Sequence, residues 1–212
     1  MPPLKLPSLY TILDPEQTAQ RATEAALAEL LEGGARWLQL RVKALTAADF
    51  LELARRVRAK TRAHDCKLII NDRIDIALAC DADGVHLGQE DLPLAVGRNL
   101  VGAKIVGIST HDLAQAQEAE RGGADYIGFG PVFGTSTKDT GYAARGIETL
   151  RQIRAAVRIP IVAIGGITEQ NVRQVWQAGA DSAAIISDIL RADHIAAKVQ
   201  RILHQQENRA QP

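Results

Sequence analysis

A single-domain (β/α)8 TIM barrel of the α/β class is the fold that this 212-residue sequence predicts. Three observations lead there. Eight short β-rich runs alternate with longer helical stretches, and no long linker interrupts them. A faint internal repeat (GGAR, DADG, GGAD, AGAD) precedes the second, fourth, sixth and eighth runs. No GxGxxG follows the first run, which counts against a doubly wound open sheet, the alternative for such an alternation.

Taken in order, LYTIL (9–13) is the first strand. Asp14-Pro15 then opens a helix, pairing a capping acceptor with a proline suited to the first turn, and EQTAQRATEAALAELLE continues it with apolar residues at three-to-four spacing. WLQLRV (37–42) is the second strand, and Thr46 caps the helix TAADFLELARRVRAKTR. KLIIN (67–71) and GVHLG (84–88) are each followed by a short helix. IVGIS (105–109), YIGFG (126–130), PIVAIG (160–165) and SAAIIS (182–187) complete the set, with Thr168 opening the seventh helix. The small residues of the repeat fit a helix C-cap that turns into a buried strand. Segments 1–7 and 205–212 read as short flexible tails around one domain spanning 1–212.

Composition narrows the function classes. Hydrophobic residues make up 46%, enough for a sizeable core. Lys+Arg and Asp+Glu are 25 each, so bulk electrostatics favour neither nucleic acid nor an anionic membrane, and any anion must be gripped locally. Cys66 and Cys80 have no His or Cys at metal spacing and read as buried free thiols of a reducing cytoplasm. The N-terminus lacks the order of a signal peptide, and no apolar run approaches ~18 residues. A homo-oligomer is compatible with this sequence, which marks no interface.

In such barrels the chemistry sits at the C-terminal ends of the strands. Those ends carry Gln39, Arg41 and Lys43 after strand two, Asn71 and Asp72 after strand three, and Gln89, Glu90 and Asp91 after strand four. Ser109 ends strand five, Thr135, Ser136, Thr137 and Lys138 follow strand six, Gly165-Gly166 strand seven and Ser187 strand eight. Gln39, Arg41 and Lys43 alternate and so face one way; between a packed interior and outer helices, that way is the mouth. Asp72 and Asp91 fit helix capping and metal binding about equally when taken singly. Together, beside two cations, they suit a partial Mg²⁺ site completed by water and substrate phosphate. Loops seven and eight suit a phosphate. His86 reads as a core histidine, and His111 lacks a visible partner.

The stretch GPVFGTSTKDTG (130–141) presents three hydroxyls and an ammonium between glycines, a set suited to an anion, without P-loop spacing. Lying between the two anion sites, it is expected to bridge two small phosphorylated substrates and to close over them as a flap.

Read together, QLRVK, IINDR, GVHLGQEDLP, GIST, GPVFGTSTK, AIGGI and IIS resemble the thiamine-phosphate synthase family, in register with all eight strands from about Tyr10 to Leu190. GVHLGQEDLP and GPVFGTSTK carry the resemblance; AIGGI recurs in many phosphate-binding barrels. The resemblance implies a Mg²⁺-dependent transferase that couples hydroxymethylpyrimidine diphosphate to a thiazole phosphate, by a dissociative path without a protein nucleophile. Gln39, Arg41, Lys43, Asn71, Ser109 and Lys138 would hold the pyrimidine diphosphate, with Arg41, Lys43 and Lys138 stabilising the departing charge. Thr135, Ser136, Thr137, Gly166, Ile186 and Ser187 would hold the thiazole phosphate, and Asp72 and Asp91 the metal. Val42 and Gly134 depart from the family pattern, in which an acidic residue and a proline are common. Three rival readings are a thiazole tautomerase-like relative, which would not need the carboxylates or the QxRxK triplet, a sugar-phosphate isomerase or epimerase, for which no acid–base pair stands out, and a non-catalytic thiamine phosphate sensor.

Overall fold

The computed structural model describes residues 4–134 and 143–207. Expectations for Thr135, Ser136, Thr137 and Lys138, including the flap, fall on residues outside those described. The strands are β1 (Leu9–Leu13), β2 (Trp37–Leu40), β3 (Lys67–Asn71), β4 (Gly84–Leu87), β5 (Ile105–Thr110), β6 (Tyr126–Phe129), β7 (Ile161–Ile164) and β8 (Ser182–Ile185). All pair in parallel with their sequence neighbours, and β1 closes on β8 through Leu9↔Ala183, Tyr10↔Ala184 and Thr11↔Ile185. Around this barrel run α1 (Thr23–Glu32), α2 (Ala47–Ala63), α3 (Ile74–Ala79), α4 (Leu94–Val101), α5 (Leu113–Arg121), α6 (Gly146–Ala156), α7 (Val172–Gln177), α8 (Ser187–Leu190) and α9 (Ile195–Glu207). No helix among the described residues is long and apolar enough to cross a membrane.

Strand runs such as LYTIL and WLQL are buried at every position, because one face meets the helices and the other the barrel interior. Two apolar clusters result. The larger lies between the barrel and the helices. The smaller fills the interior with Tyr10, Ile12, Trp37, Ile69, Tyr126, Val162 and Ala184, and Leu4 and Leu6 pack against it. α9 runs through Glu207.

Two helix starts also differ from expectation. Asp14 caps only a 3₁₀ turn (Pro15–Gln17), accepting from Glu16 N at 3.0 Å, and Ala19 and Gln20 then take positive φ, so α1 begins at Thr23. Asn171, not Thr168, occupies the cap position of α7; its Oδ1 accepts from Thr168 N at 2.8 Å and closes the turn before the helix. Thr46 caps α2 as expected, accepting from Asp49 N.

The internal repeat has a structural cause at the floor of the barrel. Gly34, Asp81, Gly123 and Gly179 take positive φ, and the next residue in each case (Ala35, Ala82, Ala124, Ala180) donates back five residues into the preceding helix. This is the glycine-type C-cap that the small residues suggested, with Asp81 in the glycine position once. The following aspartates do more. Asp83 and Asp125 accept the backbone N–H of Leu68 and Val106, the second residues of β3 and β5, and Asp181 that of Ile161, the first of β7, at 2.7–2.9 Å. Each also pairs with an arginine from the preceding even-numbered helix: Arg58 at 2.6 Å, Arg98 at 2.5 Å and Arg154 at 3.0 Å. An orphan strand-end donor and a helix are thus tied by one carboxylate, three times around the barrel.

Both cysteines are free and buried. Burial pushes the Cys66 thiol up to about 12 and raises that of Cys80, so neither ionises readily.

Candidate active site

The C-terminal ends of the strands surround a cavity of about 300 Å³. Of the residues expected there, Gln39, Arg41, Asn71, Ser109, Gly166, Ile186 and Ser187 line it. Lys43, Asp72 and Asp91 stand beside the mouth rather than in its wall.

Arg41 lies just past β2, its backbone N–H held by Leu13 O, and its guanidinium pairs with Asp14, whose side chain is only 2% exposed. The pair spans the ends of β1 and β2 and aims the guanidinium at the cavity. Two residues onward, exposed Lys43 donates to Asp72 at 2.5 Å. Arg41 and Lys43, two of the three cations expected for a diphosphate, therefore already carry a carboxylate partner.

Asp72 adopts φ of +62°, and its N–H donates to His86 O at 2.8 Å, so it stands off α3 and does not cap it. Asp91 accepts from Gly88 N at 2.7 Å within the loop after β4. Helix capping thus explains neither aspartate. The two carboxyls are near enough to shift each other's ionisation. Burial opposes ionisation of Asp72, but the hydrogen bond from Lys43 and the neighbouring Asp91 outweigh it and hold the carboxyl below its ordinary value. Burial, then the adjacent Asp72, push Asp91 up. The neighbouring carboxyls offer an all-oxygen donor set, so the residues fit a hard cation such as Mg²⁺. Among the described residues no group of three or more His, Cys, Asp or Glu could hold a metal.

On the opposite side, Gly165 and Gly166 take φ of +97° and +63°. A Cβ on Gly166 would lie 2.4 Å from Gly134 O and one on Gly165 2.5 Å from Pro131 Cα, so only glycine lets the loops after β6 and β7 lie this close. Asn171 Nδ2 donates to Gly166 O at 2.9 Å. Lys198 of α9 reaches Asp188 and Glu169 at 3.1 Å, and Asp188 accepts Glu169 N, which clamps the loops after β7 and β8 together behind Ser187.

The floor adds Tyr10 and Tyr126, which the sequence did not single out. Tyr10 and Tyr126 share a hydrogen bond at 2.8 Å, Gln39 Nε2 donates to Tyr10 Oη at 3.0 Å, and His86 joins Tyr126 Oη and Ser109 Oγ at 3.0 Å each. His86 is thus a satisfied histidine and also a wall of the cavity, as is His111, which contacts Gly130 O at 2.5 Å. Burial pushes the Tyr10 phenol up to about 12 and that of Tyr126 well above its ordinary value. Strand alternation alone could have flagged Tyr10 and His86, since each sits on the inward parity shared with Gln39 and Ser109; Asp14 had only its place after β1.

Comparisons with known proteins bear on this site. The family model described as thiamine monophosphate synthase matches residues 9–189. A thiamine-phosphate synthase of Chloroflexus aurantiacus is 44% identical over 194 residues, 92% of this chain and 90% of that protein. One from Halalkalibacterium halodurans is 46% identical over 188 residues, covering 88% and 89%. Among solved structures, thiamine phosphate pyrophosphorylase from Pyrococcus furiosus superposes with a TM-score of 0.86 at 36% identity, covering 93% of this chain and 96% of that one. A 3-hexulose-6-phosphate synthase at 19% identity and a TM-score of 0.70 shares the fold alone.

Proposed function

The chain belongs to the thiamine monophosphate synthase family, and from that premise we propose that it joins hydroxymethylpyrimidine diphosphate to a thiazole phosphate, yielding thiamine phosphate and diphosphate. The observation that carries this reading is the convergence of Gln39, Arg41, Asn71 and Ser109 with Gly166, Ile186 and Ser187 on one mouth. Such a mouth accommodates two anions at once, one on each side. Gln39, Arg41, Lys43, Asn71, Ser109 and Lys138 take the pyrimidine diphosphate. Thr135, Ser136 and Thr137, with Gly166, Ile186 and Ser187, take the thiazole phosphate.

The reaction breaks one carbon–oxygen bond, whose electron pair leaves with the diphosphate, and forms one carbon–nitrogen bond to the thiazole ring. Charge therefore grows on the departing diphosphate, and groups that meet it more strongly in the transition state accelerate the step. Arg41, aimed by buried Asp14, requires little rearrangement for this task. Lys43 and Lys138 add positive charge. Asp72 and Asp91 would hold Mg²⁺, which when bound supplies further neutralisation of the diphosphate. The aminopyrimidine spreads positive charge over its ring, which favours a dissociative path, and the apolar floor of Ile12, Val162, Ile164 and Ala184 limits water. Holding two substrates side by side itself removes several kcal/mol of barrier, roughly 7 or more in the best cases. The two free buried thiols support a reducing compartment, the cytoplasm.

The test is a single assay with both substrates and Mg²⁺, following diphosphate and thiamine phosphate. Equal yields that require both substrates are expected. Binding of thiamine phosphate without turnover would refute the reading and favour a sensor.

A further inference from the structure

Gln39 and Ser109, on β2 and β5, are joined by a continuous chain of side chains through the barrel interior: Gln39, Tyr10, Tyr126, His86, Ser109. The sequence makes room for it deliberately. A Cβ on Gly107 would lie 2.1 Å from Tyr126 Cζ, and one on Gly128 would lie 3.0 Å from His86 Cε1. Two strands thus give up side chains so that two rings can reach each other.

Proton counting gives this chain a direction. Gln39 Nε2 is a donor, so Tyr10 Oη accepts there. Both phenols keep their protons, since burial disfavours their ionised forms. If Tyr126 donated to Tyr10, the Tyr10 proton would have no acceptor in the chain while fully buried. With Tyr10 donating to Tyr126, the Tyr126 proton goes to His86 Nδ1, and both buried phenol protons are used. His86 is then the Nε2–H tautomer and donates to Ser109 Oγ. Ser109 has its oxygen engaged and its own proton left over.

We propose that His86 is a positioning residue that, through this one-way chain, fixes Ser109 as a hydrogen-bond donor toward an acceptor atom of the pyrimidine diphosphate in the mouth. This rests on the placement of Ser109 in the proposed substrate site. An alternating network would let Ser109 donate to His86 and offer the substrate only a lone pair; the directed one offers a proton. The device separates the role of His86 from mere filling of the floor.

Two measurements test it. In the wild-type protein with ¹⁵N-labelled histidine, the His86 ring resonances, identified by their absence in His86→Gln, are expected to report the Nε2–H tautomer. A protonated Nδ1, with or without a protonated Nε2, overturns the proposal. In steady state, Ser109→Ala should lower kcat/KM for the pyrimidine diphosphate about 10–100-fold, as for a lost hydrogen bond to a charged group, while the KM for thiazole phosphate stays near wild type. His86→Gln places an amide nitrogen near the Nε2 position and should retain activity to within about threefold, whereas His86→Asn reaches only the Nδ1 position and should match Ser109→Ala. The double variant His86→Asn/Ser109→Ala should be no worse than either alone. Tyr126→Phe removes one oxygen and leaves the Ser109 contact in place; it should mix the His86 tautomers and lower kcat/KM even if His86→Asn fails to fold. Equal effects of the Gln and Asn exchanges, or additive losses in the double variant, overturn the proposal. Wild-type kinetics for Ser109→Ala would instead remove Ser109 from the substrate site, and with it both this proposal and that part of the functional reading.

Discussion

Replacing Asp14 by Asn removes one charge while keeping shape and the acceptor Oδ1 that caps the Pro15–Gln17 turn. What is lost is the partner of Arg41, whose guanidinium is then left mostly buried, 15% exposed, opposite an amide N–H₂. Breaking a buried pair from one side costs about 3–5 kcal/mol. Arg41 opens on a solvated mouth, which places the loss at the low end, about 3 kcal/mol. For a domain of this size each kcal/mol moves Tm by about 2–4 °C, so the midpoint should fall by about 6–12 °C. The same exchange frees Arg41 to swing, so kcat/KM for the pyrimidine diphosphate should drop roughly 10–100-fold, while the KM for thiazole phosphate hardly changes. Added diphosphate should recover part of the lost stability, because an anion in the mouth replaces the missing charge. Calorimetry with and without diphosphate, followed by steady-state kinetics, checks each part. A Tm within about 1 °C of wild type would refute the claim that this pair holds the mouth together, and a loss confined to thiazole phosphate would refute the placement of Arg41.

Further outcomes are expected. Asp72→Ala or Asp91→Ala should keep the fold by circular dichroism and cut turnover by about two orders of magnitude; full activity of either variant in EDTA sinks the metal assignment. Ser187→Asp sets a carboxylate against the proposed phosphate site and should raise the KM for thiazole phosphate about tenfold or more, with the pyrimidine diphosphate much less affected; equal changes would mean that the mouth is partitioned differently. Gly166→Asp is the poorer probe, since its Cβ would strike Gly134 O. Asp83 is held below its ordinary carboxyl value: burial opposes ionisation, but the Leu68 N–H, Lys67 and Arg58 outweigh it. Its contribution is therefore complete above the unfolded value near pH ~4 and lost as pH falls through the lower folded value. The stability gap between wild type and Asp83→Asn, measured by urea unfolding, should close as pH is lowered below about 4; a gap that stays constant with pH contradicts the charge argument.

Local pattern sufficed for much of this molecule. Every strand core was legible because parallel strands buried on both faces read as unbroken apolar runs, and their ends were misplaced by a residue or two where the last residues, such as Arg41 and Val42, leave the ladder. Helix starts were legible where a cap acts within three residues, as at Thr46, and misread where a turn intervenes, as at Asp14 and Thr168. Because the barrel sends all strand ends to one mouth, order along the chain also placed Gln39, Asn71, Ser109 and Ser187 near one another.

Tertiary structure alone decided which groups meet. The Tyr10–Tyr126 hydrogen bond joins residues 116 apart, and the Asp14–Arg41 pair joins residues 27 apart. The repeat was visible as spacing, yet the partnership of Asp83, Asp125 and Asp181 with Arg58, Arg98 and Arg154 was not. A cap or a strand pattern is satisfied by neighbours a few residues away and so leaves a mark in sequence. A cross-barrel pair depends on closure, register and the room that Gly107 and Gly128 vacate, and these exist only once all eight strands have come together.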